Sequence, residues 1–545
     1  MTSAPKSRRL WIVISAIFVP LVVLGVAEAC LRLAGVGYPT ALLTPCTVQG
    51  KQASCYNLFF AAPFFPAGSV QTPRLYSIPA QKPPGTYRIF VLGESAAMGD
   101  PDPAYGFSRY LEVMLRERFP GMNFEVVNTG SVAINSHVVL RIAQQLANQR
   151  PDLFIIYSGN NEVVGPYGPG TVLTSSGMNI PVIRSNIFLR STRVGQLVTK
   201  LGAQKKSWQG MEMFLDKQVR ANSPLMQPVY ANYERNLRDT VAVARAAGAQ
   251  VIVATAATNL EDCAPFASLH RDGIKREEVN QWSSLVQRGS ELEAARSFSE
   301  ALELYRSAAR IDDEYAELEF RIARCLKSMG DTKSANEHFQ RARDLDTLRF
   351  RADTRINDIN RFVPAAYTGV GLVDTESLFS SASRDGIVGS DLVYEHVHMT
   401  PLGSYLFARA IYGQVAGKLA SGPMAPDAPS QTECERMLAL TAYDRSRIAQ
   451  EMLRRIQRAP FTQQLNHPDQ VQRFQLQAES MSETPNDTAL QYQWAITRAP
   501  QDAMLRYNFG MFLFGYNRTA AAEQLAMAQP WDGFPVFLPD GTQIR

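Results

Sequence analysis

Serine is a weak nucleophile near neutral pH, and it becomes reactive only when an imidazole takes its proton and a third group orients that ring. The chain carries such parts at two distant places. Arg88-Ile89-Phe90-Val91-Leu92 runs into Gly93-Glu94-Ser95, and far downstream Glu395-His396-Val397-His398 is followed by Gly403. Ser95 would supply a nucleophile, His398 a base and Glu395 an acid, which is the equipment for acyl transfer through a serine ester. An apolar run of β-branched and aromatic residues ending in Gly-x-Ser sets the hydroxyl on the turn after a buried strand, where parallel α/β sheets present their reactive groups. Among the six histidines, His137, His270, His338 and His467 lack the frame of an acid three positions before and a glycine five after. Asp391 and His396 stay open as alternative acid and base.

Two more strand-like runs end in polar turns. Phe124-Glu125-Val126-Val127-Asn128 leads to Gly130 and Ala133, and Leu153-Phe154-Ile155-Ile156-Tyr157-Ser158 ends in Gly159-Asn160. Taken in order, the four blocks resemble the SGNH, or GDSL-like, hydrolase family. Gly93-Glu94-Ser95-Ala96 is similar to the family's Gly-Asp-Ser-Leu, with Glu for Asp and Ala for Leu, and the resemblance implies Ser95 as nucleophile. In the second block the family has a glycine whose N–H serves the oxyanion hole. That position is Ala133, which keeps the N–H, a departure that is tolerable if its dihedrals are ordinary, with Gly130 as fallback donor. The third block implies Asn160 as the side-chain donor, and such a carboxamide aimed at a developing oxyanion is worth roughly 3 kcal/mol of barrier. The last block, Asp-x-x-His with a glycine five residues beyond, is matched by Glu395, His398 and Gly403. The resemblance implies ester substrates, commonly acetylated carbohydrate or lipid, turned over by hydrolysis or acyl transfer without a cofactor. Metal is not expected either, since no Cys-x-x-Cys pair or His/Cys cluster has ligand spacing.

Such groups need a scaffold. Phe107, Tyr110, Leu111, Met114, Leu115 and Phe119 fall at helical spacing after the serine turn. Tyr233, Leu237, Val241 and Ala244 form another helical stripe, Gly248 caps it, and Val251-Ile252-Val253-Ala254 follows as an apolar strand. A short strand is predicted at Val370 to Val373 and a closing helix from Pro401 to Leu419. This alternation calls for a parallel sheet with helices on both faces. The fold class is therefore α/β, and the family resemblance implies a flavodoxin-like three-layer hydrolase domain.

That domain is interrupted. Ala301, Tyr305, Ala308, Ile311 and Asp312 recur thirty-four residues later as Ala335, Phe339, Ala342, Leu345 and Asp346, a spacing that resembles the tetratricopeptide repeat. Gly330 sits at the turn between the helices of the second repeat. After Pro423 a helical extension is expected, with Glu435 to Gln457 as a charged amphipathic stretch. The expected divisions are 1–36, a transmembrane signal anchor; 37–85, a Pro-rich linker; 86–281 and 350–425, the two parts of the hydrolase domain; 282–349, the repeat insertion; and 426–545, a helical extension in which Gly515 and Ala520 echo the Gly330 and Ala335 spacing of the repeats.

Lys6, Arg8 and Arg9 precede an uncharged run from Leu10 to Ala27, the length at which a helix begins to span a bilayer. The expectation is a single-pass membrane protein with the bulk of the chain extracytoplasmic, anchored through this helix. A cleavable signal ending near Ala27-Glu28-Ala29 is the alternative. In such a compartment Cys46 and Cys55 could pair. With 545 residues, 46% of them apolar, and a net charge of +4, the chain can build a large core. No lysine-rich block or aromatic-basic interleaving points to nucleic acid. The expected partners are an ester-bearing glycan or lipid and a protein bound on the repeat helices. A second class of function follows from Glu94, Ala133 and Glu395, which depart from the family's Asp, Gly and Asp: a membrane scaffold built on an inert esterase fold.

Overall fold

Five strands carry the site: β1 (Thr86–Gly93), β2 (Asn123–Asn128), β3 (Leu153–Tyr157), β4 (Gln250–Ala254) and β5 (Val370–Val373). In this computed structural model they pair in the order β2-β1-β3-β4-β5, every pair parallel. The order is flavodoxin-like: the chain leaves β1 for β2 and returns on the other side to β3. The crevice beyond the ends of β1 and β3 is thus the topological switch point where such sheets bind ligands. Ile89, Phe90, Val91 and Leu92 are completely buried, as a central strand covered on both faces requires. The structure describes residues 6–66, 68–71, 73–174, 179–202, 207–419, 427–479 and 483–544; the side chains of 6–15, 17, 202 and 544 lie outside the description.

Helices α1 (Phe107–Arg118), α2 (Ser136–Leu146), α3 (Met226–Ala246), α4 (Thr354–Ala365) and α5 (Pro401–Leu419) cover the sheet. α1 packs with α5, while α3 packs with both α2 and α4. Helix follows strand as the apolar periodicities require: the stripe Tyr233, Leu237, Val241 and Ala244 is buried on α3, and Gly248 (φ +79°) turns the chain into β4.

Between β4 and β5 the helices Arg276–Ala294, Phe298–Ala309, Ala316–Ser328 and Thr332–Leu345 pack in succession around a second core. The six small or aromatic residues that recur at a period of thirty-four, Ala301, Tyr305, Ala308, Ala335, Phe339 and Ala342, all lie in that core. Gly330 makes the turn at φ +87°. The first helix starts at Arg276, ahead of the expected 282. Its opening turn, Arg276-Glu277-Glu278, has no apolar residue to signal it in the sequence, but the Glu278 carboxylate accepts the N–H of Lys275 at 2.9 Å.

The expected linker over 37–85 is corrected. Strands at Leu43–Val48, Lys51–Tyr56 and Ser77–Pro79 form a small antiparallel sheet, closed by a Cys46–Cys55 disulfide. Leu42, Phe60, Phe64, Phe65 and Ile78 are buried in the main core. The prolines suggest an extended spacer, but the phenylalanines between them have apolar area to bury, and that burial fixes the segment.

The expected membrane anchor is corrected as well. A helix spans Lys6–Leu33, but among the described residues no helix is long and apolar enough to cross a membrane. Much of the apolar run from Leu10 falls on side chains outside the description. The described end of the helix makes polar contacts with the rest of the chain, Glu28 accepting the Val194 N–H at 3.0 Å. The single-pass topology, the membrane contact and the compartment inferred from that run fall with the span.

Helices Gln431–Met437, α6 (Ala442–Ile456), His467–Glu479, Pro485–Arg498, Ala503–Leu513 and Arg518–Met527 make up the C-terminal extension. The extension shares the main core: Cys434, Leu438, Leu440, Ile448, Met452, Ile456, Phe461 and Phe474 are buried with the sheet residues. Arg109 on α1 pairs with Asp502, and Arg447 on α6 pairs with Asp102.

Candidate active site

β1 ends at Gly93 because nothing larger fits there. A Cβ at this position would lie 1.9 Å from the Tyr157 carbonyl oxygen and 2.6 Å from the Ala97 Cβ. The chain then turns at Glu94 into a single helical turn, Ser95–Met98. Ser95, first residue of that turn, has a backbone N–H without an intrahelical acceptor and a half-buried side chain. Asn128, at the end of β2, holds the turn in place: its Nδ2 donates to the Ala97 carbonyl at 2.8 Å and to Ser108 Oγ at 2.9 Å.

The distant residues meet. Ser95 Oγ lies 2.9 Å from His398 Nε2, and His398 Nδ1 is hydrogen-bonded to Oε1 of Glu395, whose side chain is 0 % exposed. Oε2 of Glu395 accepts the backbone N–H groups of His396 and Val397. Burial works to raise the Glu395 carboxyl, but the charges of His396 and His398 and their bonds to it hold it well below the usual range, so it is an anion beside His398. His396 Nδ1 lies 2.5 Å from Oε2 of the same carboxylate, on a ring whose basicity burial lowers. The alternative pairing is excluded by position: His398 reaches Ser95, and Asp391 is exposed. Gly403 permits close packing of α5, since a Cβ there would lie 2.2 Å from the Leu392 carbonyl.

A cavity of about 460 Å³ opens over Ser95 and His398. Ala133 lines it. Its φ of +60° is left-handed, so the alanine holds its position against the strain that a glycine would not feel. Gly130 is removed as fallback donor, since its N–H is taken by Asn128 Oδ1 at 2.9 Å. Its lack of a side chain serves packing instead: a Cβ would lie 2.5 Å from Met98 N.

The expectation for Asn160 is corrected. Its Oδ1 accepts the Ala352 N–H at 3.1 Å, tying the β3 turn to the chain before α4, and the cavity is lined by its neighbour Asn161. Asn161 Nδ2 gives one hydrogen to the Ile134 carbonyl at 3.1 Å, and a carboxamide nitrogen carries a second. Adjacent asparagines look alike in sequence, and of the two it is Asn161 that lines the cavity with Ser95.

Glu94 also has a task. Its two oxygens accept the N–H groups of Gly159 at 3.0 Å and Asn160 at 2.9 Å, so it bridges the ends of β1 and β3. Burial, followed by the charge of Glu162, pushes its carboxyl up to about 8. Glu162 in turn accepts from Ser136 N and Oγ at the start of α2.

Residues that the motifs do not flag also belong to the site. Asp100 Oδ2 is 3.1 Å from His398 Nε2, and Arg455 of α6 grips Asp100 with both terminal nitrogens, at 2.6 and 3.1 Å. Phe461, also from the extension, walls the cavity together with Trp208, Met211, Phe214 and Phe350. Glu395, His396 and His398 are also a group that could hold a divalent ion, with ligand atoms within 4.8 Å of one another. Ligation through His398 Nδ1 would break its bond to Glu395, so that use and the serine arrangement exclude each other.

The chain matches no family model and no curated protein. Solved structures give weak likenesses. An α/β hydrolase from the Lake Arreo metagenome is 13% identical, with 62% of this chain and 97% of that one covered at a TM-score of 0.29. A GDSL-like lipase from Bacteroides thetaiotaomicron is 10% identical over 63% and 93%, at 0.28. A mutant of an acetyl-xylooligosaccharide esterase from Geobacillus is 13% identical over 60% and 92%, at 0.26. The assignment of the site rests on the chain's own topology and distances.

Proposed function

We propose that this protein is an SGNH-type serine esterase or acyltransferase acting on an O-acylated carbohydrate or lipid. One observation carries the reading: a serine hydroxyl at 2.9 Å from an imidazole whose far nitrogen is bonded to a fully buried carboxylate. Ser95 Oγ attacks the acyl carbon while its proton passes to His398 Nε2. Glu395 keeps Nδ1 protonated and balances the charge of the imidazolium. The N–H groups of Ser95 and Ala133 and the free Nδ2 hydrogen of Asn161 receive the tetrahedral oxyanion. The Nε2 proton then goes to the leaving alcohol, and water or an acceptor hydroxyl repeats the sequence in reverse. The aromatic wall keeps bulk water off the acyl-enzyme and strengthens these charge interactions.

Glu94, Ala133 and Glu395, the residues that depart from the family pattern, leave every reacting atom in place, and this favours an enzyme over an inert scaffold. The test is Ser95→Ala, with p-nitrophenyl acetate turnover and covalent labelling by a fluorophosphonate as readouts. Both should vanish; unchanged turnover would assign the reaction to another nucleophile.

A further inference from the structure

Nε2 of His398 has two neighbours competing for it. Ser95 Oγ is at 2.9 Å and Asp100 Oδ2 at 3.1 Å. In the resting tautomer Nδ1 carries the proton for Glu395, so Nε2 offers a lone pair that accepts from Ser95 and faces an Asp100 oxygen, which also has only lone pairs to offer. Once the serine proton has moved to Nε2, the same oxygen becomes a hydrogen-bond acceptor for it. Asp100 therefore favours the imidazolium over the neutral ring. Arg455 works the other way. Its guanidinium forks Asp100, and Nη1 lies 3.2 Å from His398 Nδ1 and 3.4 Å from Glu395 Oε1, where a positive charge opposes a second one on the ring.

We propose that Asp100 and Arg455 are a pair of positioning residues that sets how readily His398 holds the proton taken from Ser95, with the C-terminal extension supplying the cationic member. The proposal rests on the serine-esterase reading. The pair lies away from bulk water: Asp100 is 16% exposed and Arg455 23% at the side chain. Burial tends to raise the Asp100 carboxyl, and the charges of Arg455 and His398 override it, so Asp100 remains an anion. The other titratable or charged groups near the ring are Glu395 and His396 on its own loop and, at the cavity wall, Arg458 together with Glu451 and Arg454, which pair with each other at 2.7 Å. None of these is within hydrogen-bond reach of Nε2, so Asp100 alone discriminates between the two protonation states at that atom.

The experiment is the pH profile of kcat/KM for p-nitrophenyl acetate in the full-length protein, with the rate of fluorophosphonate inactivation as a second readout. Asp100→Asn should move the acidic limb to lower pH by about one unit, and Arg455→Gln should move it to higher pH by a similar amount. The double variant, which removes both charges, should return the limb toward wild type. A merely structural role predicts proportional loss at every pH with the limb unmoved; that result, or shifts in the same direction, overturns the proposal. If Arg455→Gln does not fold, Arg455→Lys keeps the charge and Asp100→Asn must still lower the limb by itself. Ser95→Ala separates the two levels: activity in that variant sinks the esterase reading, whereas a dead Ser95→Ala beside an unshifted Asp100→Asn sinks only the role of the pair.

Discussion

At the scale of single residues, the neighbouring asparagines give the sharpest contrast. Asn161→Ala should lower kcat by about a hundredfold to a thousandfold, as loss of an oxyanion donor does. Asn160→Ala should instead cost about 1–3 kcal/mol of stability, because the Ala352 N–H loses its buried acceptor. Kinetics and thermal unfolding of the two variants check the assignment. Ala133→Gly tests the strained position: relief of the left-handed alanine, about 1–2 kcal/mol, exceeds the roughly 0.4–1 kcal/mol of added unfolded-chain entropy, so melting should rise slightly. Ser95, His398 and Glu395 were legible because Gly-x-Ser closes an apolar run and an acid, a histidine and a glycine follow at fixed offsets, and such local spacing survives folding unchanged. Asn161 had a signal too, since a Gly-x-Asn frame counted from Gly159 falls on it, but its neighbour Asn160 competes for the same reading; the strain at Ala133 had none, since residue identity specifies turn dihedrals weakly.

Elements, at the next scale, pack through strand pairing and a shared apolar core and are tied at the strand ends by polar bridges, of which Glu94 is the one most open to measurement. Its folded pKa is raised to about 8 from a reference of 4.5. The folded protein therefore binds this proton more tightly than the unfolded chain does. The stability so contributed is complete below pH 4.5 and is lost as pH rises through about 8. Glu94→Gln cannot titrate, so its melting temperature relative to wild type should climb across that window; a constant difference would mean that Glu94 stays ionised throughout. Gly130→Ala should push its Cβ into Met98 N, displacing the nucleophile turn and costing about 1–3 kcal/mol along with most of the esterase activity. Strands and helices of the sheet were readable from the sequence because each has its own apolar period. The start of the inserted helices at Arg276 was hidden, because a charged first turn carries no such signal.

For the whole molecule, the extension behaves as part of the same folded body as the sheet. Asp502→Ala leaves Arg109, 11% exposed, with Glu112 as its remaining partner and strips the Met504 and Leu505 N–H groups of their capping acceptor, a loss of about 1–3 kcal/mol. Calorimetry should show one transition at lower temperature; a separate early transition would mean that the extension unfolds as an independent unit. Parallel α/β architecture was visible in the order of strands and helices, but the Asp100–Arg455 contact joins positions 355 apart, and nothing local marks either residue as the other's partner. The same long reach governs how the protein comes into being. His398 follows Ser95 by 303 positions, and Arg455 and Phe461 come later still. A chain growing on the ribosome therefore carries an unactivated alcohol at residue 95 until the His398 loop has emerged and folded against it, with Arg455 and Phe461 joining afterwards.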